Sequence, residues 1–434
     1  MNKGSGWLMY NVLVFPCGTE IGLEIYRSLK YARDIRLYGG SSVSSNHGKF
    51  VYENYIDGIP FFSNPGFENY LNQIIKKYKI DFLIPAHDSV ALKLSEIAKD
   101  LNCVVIGAPK KTCEICRSKK KTYEIFKNII KIPMMYNETF ETNPSLLRYP
   151  LFLKPEIGEA SRGTFIAQSL DDLNFYTKKN KELLIIEYLP GREFTIDCFT
   201  DRNRILKFSG ARIRTRIVNG ISVDTEPYSN YQLNEIAQTI NSFLSFRGPW
   251  FFQVKENSDG EFVLLEIGPR IAGSMALYRN LGVNFILLAI YDFLGHDIRI
   301  IKNDYDIKMD RALTERFKLN LNFDHIYVDF DDCLITNGKI NREMIQFLYQ
   351  CLNNGKKLYL ISKCSRNFEE LLRKYPIKDI FTEIFHLDKS EKKSNYIKKF
   401  PAIFIDDSFA ERVEVQEALK IPVFSPDAIE SLLE

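Results

Sequence analysis

The chain has 434 residues, 45% of them apolar and 26% charged, with a formal net charge of +3 at pH 7. That composition excludes a disordered tail, a collagen-like chain and a disulfide miniprotein, and so small a surplus gives no electrostatic case for a nucleic-acid partner. At roughly 150 residues per domain the length fits about three domains, and no apolar run reaches the roughly 18 residues of a membrane span.

The first strand is read at residues 11–15, NVLVF. A signal peptide is not expected, because Asn11 interrupts the apolar stretch after Lys3 and no small-residue cleavage site follows. PCGTEIGLEIYRSLK then reads as a turn into an amphipathic helix. Gly18 and Gly22 lack the full dinucleotide fingerprint, so they read as a structural turn. Strands at 35–38 and 81–84 alternate with helices at 67–79 and 88–100, which predicts a parallel, doubly wound sheet ending near Pro109. A helix is expected at 118–130. Strands follow at 151–154, 163–167, 183–188, 193–199 and 204–209, then a helix at 231–246. A hairpin across SDG joins 249–255 to 261–267, and a helix covers 282–294. The charged, weakly patterned stretch 300–320 reads as a boundary. Strands at 325–329, 357–361, 381–385 and 402–405 then alternate with helices at 340–353, 367–374 and 391–399. The eight cysteines are scattered, which predicts reduced thiols and a cytoplasmic location. The lone Cys113-x-x-Cys116 has no second pair to complete a zinc site.

Four pieces of the middle region carry chemistry together. Lys119, Lys120 and Lys121 open a helix, and Lys154 ends a strand before a loop containing Gly158 and Gly163. A lysine and glycine-borne backbone N–H groups suit a polyphosphate. The EYLPGRE segment from Glu187 to Glu193 can offer backbone groups to an adenine edge and a carboxylate to ribose hydroxyls. Gln253 and Glu266 face each other across the hairpin as oxygen ligands for Mg²⁺. Arg270 stands where a developing phosphoryl or acyl-phosphate charge needs a fork donor. In this order and spacing, residues 10–300 resemble the ATP-grasp superfamily, in particular carbamoyl-phosphate-synthetase-like carboxylate–amine ligases. The resemblance implies ATP and Mg²⁺ as cofactors. It implies that Lys119 or Lys121, with Lys154, binds phosphates; that Glu187, Tyr188 and Leu189 line the adenine; and that Glu193 holds the ribose. Glu266 would bridge Mg²⁺ with Gln253 in support, and Arg212 and Arg216 would bind phosphate or substrate. One position departs from the pattern: Gly268 stands where relatives carry an asparagine metal ligand, which leaves a gap for water to fill.

The last unit opens with HIYVDFDDCLITNG. Alternation puts Asp329 and Asp331 on one face of an extended chain, where one carboxylate can attack phosphorus and the other protonate the leaving oxygen. Ser362 ends a strand, LDKSEKKSNYIKK supplies lysines, and Asp406 and Asp407 end another strand. Residues 318–434 resemble the haloacid-dehalogenase (HAD) phosphatase superfamily. The resemblance implies Asp329 as nucleophile and Asp331 as acid/base, both counted with Asp406 as metal ligands and Asp407 in support. Ser362 would bind phosphate, and Lys393, or else Lys389, would stabilise charge. The short spacings from Asp329 to Ser362 and from Ser362 to Lys393 leave no room for a large cap domain.

The expected architecture is therefore mixed α/β and α+β: a Rossmann-like pre-ATP-grasp domain (1–110), an ATP-grasp domain (111–305) and a capless HAD-like Rossmannoid domain (318–434). The expected activity is bifunctional: Mg·ATP-dependent joining of a small carboxylate to an amine, coupled to hydrolysis of a phosphomonoester. A sugar acid amidated by an amino-alcohol phosphate, then dephosphorylated, as in surface-polysaccharide synthesis, fits the pairing. Three rivals are a ligase that makes a dipeptide-like or peptidyl amide with the HAD unit in a housekeeping role, a phosphatase carrying an inactive nucleotide-binding module, and a non-catalytic scaffold. The resemblance implies a homodimer, though the sequence holds no interface signature.

Overall fold

Val12, Leu13 and Val14 are wholly buried, as a strand covered on both faces of a parallel sheet must be. The protein is described by a computed structural model over residues 9–158, 161–317, 319–363 and 368–433, and it divides into two units between Leu313 and Thr314. Lys3, Cys364, the middle of the Gly158–Gly163 loop and the first residue of the helix expected at 367–374 lie outside the described residues.

In the larger unit β1 (Tyr10–Phe15), β2 (Ile35–Gly40), β3 (Asn54–Ile56), β4 (Phe82–Pro85) and β5 (Val104–Val105) form a parallel sheet ordered β3-β2-β1-β4-β5. The order reverses between β1 and β4, so a crevice opens beyond the carboxyl ends of those two strands. The two turns there are tied together, because Thr19 Oγ1 donates to the Ala86 carbonyl at 3.1 Å. A side chain at Gly22 would collide with the Cys17 backbone, so this glycine serves close packing of turn and helix.

Next come β6 (Leu151–Pro155), β7 (Phe165–Ala167) and β8 (Leu183–Glu187), a small antiparallel sheet ordered β7-β6-β8. The main sheet holds β9 (Glu193–Thr200), β10 (Leu206–Val218), β11 (Ile221–Tyr228), β12 (Gly248–Glu256), β13 (Phe262–Gly268) and β14 (Met309–Asp310). It is antiparallel, in the order β13-β12-β9-β10-β11-β14. The hairpin across SDG is β12 and β13. Strand β11, whose polar VDTEPY hides the period, is an addition to the sequence reading. The helix expected at 118–130 is present as Lys119–Phe126, and a helix not read from the sequence, Lys110–Arg117, precedes it. Ser118 separates the two: it is extended (φ −105, ψ 112), and its side chain caps the second helix at the Lys121 N–H. The helix expected at 282–294 is present as Phe285–Phe293, and a short helix not read from the sequence, Ala276–Asn280, precedes it.

The first sheet shares one core with the rest of the unit. Val12, Val14 and Ile25 pack in the same cluster as Phe199, Phe251, Ile286 and Ala289. The helix Phe285–Phe293 carries that cluster and is anchored by Asp292, which is fully buried. Asp292 accepts from the Arg202 N–H at 2.8 Å and from Arg247 Nε at 2.7 Å.

The second unit contains β15 (His325–Val328), β16 (Ile335–Thr336), β17 (Lys339–Ile340), β18 (Lys357–Ser362), β19 (Glu383–His386), β20 (Ala402–Ile405) and β21 (Val423–Phe424). Five of these form a parallel sheet ordered β19-β18-β15-β20-β21, with β16 and β17 a separate hairpin. Alternate residues serve opposite cores: Ile326, Val328 and Leu360 face one, and Tyr327, Tyr359 and Phe404 the other. The strand order reverses at β15 and β20, so their carboxyl ends frame a second crevice. The helix expected at 391–399 is only a 3₁₀ turn, Lys393–Asn395. Burial of Lys393 and Ser394 wins over helical propensity there. The helix Phe409–Leu419 and strand β21 were not read from the sequence.

Replacing Asp292 by alanine strands a backbone N–H and a guanidinium, a loss of about 1.5–3 kcal/mol for hydrogen bonds to a charged group. Urea unfolding of Asp292→Ala is expected to show that loss with an unchanged denaturant slope.

Candidate active sites

Two cavities in the larger unit meet at shared residues. The first, of about 280 Å³, lies between the small sheet and the main sheet and is lined by Lys119, Lys154, Glu187, Tyr188, Leu189, Glu193, Gln253 and Glu266. Lys154 reaches it from β6, although its side chain is almost wholly buried. Its Nζ donates to the Tyr123 hydroxyl at 2.6 Å, which itself donates to the Leu265 carbonyl at 2.8 Å. Burial, reinforced by the charge of Lys119, pushes the Lys154 pKa down from 10.5 to about 7. Lys119 stands 3.8 Å from Glu266, whereas Lys121 is exposed and is not among the lining residues. The Glu187 carboxylate accepts from the Met134 N–H at 3.0 Å, which ties β8 to the chain before it.

The second cavity, of about 240 Å³, opens from the first toward the crevice of the parallel sheet. Thr19, His87 and Asp88 line one side, and Arg212, Arg214, Gln253, Glu266 and Arg270 the other. One row crosses the main sheet here. Glu266 faces Gln253, Gln253 faces Thr195, and Thr195 faces Arg212, so all four share a face. Arg212 is fully buried and donates to Asp197 from Nε at 2.8 Å and Nη2 at 3.2 Å. Burial pushes the Asp197 pKa up, against the opposing pull of Arg212. Arg270 pairs with Asp88 and donates to the Ile271 carbonyl at 2.7 Å.

In the second unit Asp329 and Asp406 meet at the ends of β15 and β20. Lys393 Nζ lies between them, 2.6 Å from Asp329 Oδ1 and 2.6 Å from Asp406 Oδ2. Burial, then the neighbouring Asp406, pushes the Asp329 pKa up to about 7, although Lys393 opposes this. Asp329, Asp406 and Asp407 offer oxygens all within 4.8 Å of one another. Asp331, expected as a metal ligand, is not in that trio; Asp407 takes the place. Asp331 lies in a turn next to Asp332, whose φ is +53, and forms a bridge with Ile335, so the chain has already left the strand direction that alternation assumed. Ser362 is buried at the end of β18, next to β15 in the sheet.

A family model described as "ATP-grasp in the biosynthetic pathway with Ter operon" matches residues 179–315. The chain is 24% identical over 220 residues to the D-alanine–D-alanine ligase of Petrotoga mobilis, covering 45% of this chain and 72% of that one. It is 23% identical over 267 residues to the carbamoyl phosphate synthase large chain of Clostridium beijerinckii, covering 57% of this chain but only 25% of that one. Among solved structures it is similar to the biotin carboxylase domain of Hydrogenobacter thermophilus 2-oxoglutarate carboxylase, a dimer in complex with MgADP, ADP and bicarbonate. That likeness has a TM-score of 0.57 at 14% identity and covers 68% of this chain and 72% of the other. Residues 179–315 thus match an ATP-grasp family model, and the larger unit has the fold that these solved structures share.

The larger unit departs from the sequence expectation at Arg216. Arg216 does not reach either cavity: it is exposed and pairs with Asp310 at 2.6 Å. Register shifts on both sides of it, against β11, rotate it off the face that Arg212 and Arg214 share. Gly268 lines the second cavity. A side chain there would run into the Phe251 ring, which is buried and lies 5.3 Å from the Arg270 guanidinium. Sequence reasoning missed Arg214, which lines both cavities, pairs with Glu193 and donates to Gln253 Oε1 at 3.1 Å. The period of two from Arg212 was the signal for it. It also missed Tyr123, and nothing local marks that residue.

Held near 7 when folded and near 10.5 when unfolded, Lys154 binds more protons in the unfolded chain between those values. Stability of the larger unit without ligand should therefore rise with pH across that window. Chemical denaturation of wild type and Lys154→Met from pH 7 to 10 checks this; the variant is expected to lack that part of the slope.

Proposed function

We propose that the larger unit is an Mg²⁺- and ATP-dependent carboxylate–amine ligase of the ATP-grasp type, and that the second unit is a phosphomonoesterase of the HAD type. The ligase reading rests on the junction of the two cavities at Lys119, Arg214, Gln253 and Glu266. A nucleotide in the first cavity would point its phosphates into the second, where an acid has arginines to meet it. Bound ATP supplies the phosphoryl group. Lys154 and Lys119 neutralise phosphate charge, Glu187 to Leu189 line the base, and Glu193 faces the ribose. Among the described residues Glu266 is the one carboxylate that lines both cavities, and Gln253 adds an amide oxygen. That donor set fits one Mg²⁺ completed by water and phosphate oxygens. Arg270, next to the acid, holds charge as the acyl phosphate forms, and an amine then attacks the acyl carbon and expels phosphate.

In the second unit, Asp329 is placed to attack phosphorus and Asp331 to move the proton of the leaving group. Ser362 and Lys393 hold phosphate charge, and Asp329, Asp406 and Asp407 suit a hard divalent ion. Ligation of a sugar acid to an amino-alcohol phosphate, followed by removal of the phosphate, would use both activities in sequence. The thinned metal set, Gln253 and Gly268, favours one rival: a module that binds nucleotide without turning it over.

The full chain is to be assayed with Mg·ATP and a matrix of acids and amines for ADP release. Release that needs both an acid and an amine is expected, falling at least about 10²-fold in Lys154→Ala. Nucleotide binding without any such release would overturn the ligase in favour of the rival. Mg²⁺-dependent hydrolysis of p-nitrophenyl phosphate is expected to vanish in Asp329→Asn while ADP release persists. Hydrolysis that survives the substitution would remove Asp329 from the reaction.

A further inference from the structure

The second cavity carries more cationic charge than one carboxylate uses. Seven arginines and lysines line it against three carboxylates, and Asp197 and Glu193, which hold Arg212 and Arg214 from behind, raise the carboxylates to five. A surplus of two remains in a recessed wall. Three guanidinium nitrogens on that wall, Arg212 Nη1, Arg214 Nε and Arg270 Nε, are buried with no hydrogen-bond partner among the described residues. Buried donors are ordinarily satisfied, and a guanidinium N–H left over costs more than a neutral one. They are spread along the wall. Arg270 stands with Glu266 at the phosphate end. Arg212 lies three strands away across the row from β13 to β10, about 14 Å between backbones at one strand spacing per step.

Arg311 joins Arg212 at the far end. Its backbone N–H donates to the Val223 carbonyl at 2.7 Å, and its guanidinium donates to the Ser222 carbonyl from Nη2 at 2.6 Å and Nε at 3.1 Å. Nη1 lies 3.2 Å from Glu20. Burial, with Arg212 close by, lowers the Arg311 pKa even though Glu20 opposes this. Each guanidinium already has a carboxylate, Asp197 or Glu20, and what remains for a ligand is the unpartnered Arg212 Nη1 with a second guanidinium close by.

We propose that the acid taken by this cavity carries a second anionic group, a carboxylate or a phosphate, seated on Arg212 and Arg311 at the end opposite the carboxylate that is activated. This rests on the ligase reading for the identity of the first carboxylate, but the anion seat stands on its own geometry. A monoanionic acid leaves the Arg212 nitrogen unsatisfied, so the module selects against it by the desolvation of its own wall.

The test is isothermal titration of the full chain with two matched pairs of acids: glutarate against its half-amide glutaramate, and 3-phosphoglycerate against glycerate. At least one dianion is expected to bind about ten-fold more tightly or better than its monoanionic partner, a difference of about 1.4 kcal/mol. Arg311→Gln is expected to bring that pair to near parity. Arg311→Lys, which keeps the charge and loses the fork, should retain part of the preference. Thermal melts with Mg²⁺ and a non-hydrolysable ATP analogue report that each variant is folded. Equal or absent binding of both members in both pairs overturns the proposal, as does a preference that Arg311→Gln leaves intact. A dianion that binds with the stated preference but never supports ADP release with any amine would fail the ligase reading and leave the anion seat standing.

Discussion

Burying a guanidinium requires a carboxylate behind it, and the larger unit is organised around that constraint. Arg212 is out of water in the middle of an antiparallel sheet, and it can be there because Asp197, two residues along from Thr195 on the neighbouring strand, meets two of its nitrogens. Removing either partner would leave an uncompensated buried charge. The pair fixes which face of β10 is turned inward, and with it the direction of Arg214. It also leaves one guanidinium nitrogen, Nη1, with no hydrogen-bond partner among the described residues.

The metal end follows a related logic. Phe251 fills the space that a side chain at position 268 would need, so the chain trades a polar ligand for an aromatic face next to Arg270. Positive charge reaches the same place by other means, with Lys119 close to Glu266 and Arg214 on Gln253.

The two units use one topological device. In each, a parallel sheet reverses its order at a pair of strands, and the residues just past their carboxyl ends carry the polar groups of the crevice: Thr19 and Asp88 in one, Asp329 and Asp406 in the other. In the second unit a single lysine bridges two buried carboxylates, so Lys393, Asp329 and Asp406 form a coupled set whose protonation belongs to the group rather than to any member.

Local sequence determined the pieces whose chemistry is written in a few consecutive residues. The β12–β13 hairpin follows from SDG, the alternation of strand and helix at both ends follows from apolar periodicity, and Lys154, Glu266, Asp329 and Asp406 follow from their places at strand ends. Period-two alternation would have given Arg214 from Arg212. Three outcomes were decided by tertiary structure alone. The bulge against β11 turned Arg216 away from the cavities, the Phe251 ring took the space that a side chain at position 268 would need, and the turn after β15 exchanged Asp331 for Asp407 among the gathered carboxylates. Each depends on a partner far away in the chain, a neighbouring strand or a ring across the sheet. A sequence window records the residues it contains, while register and packing decide which of them meet.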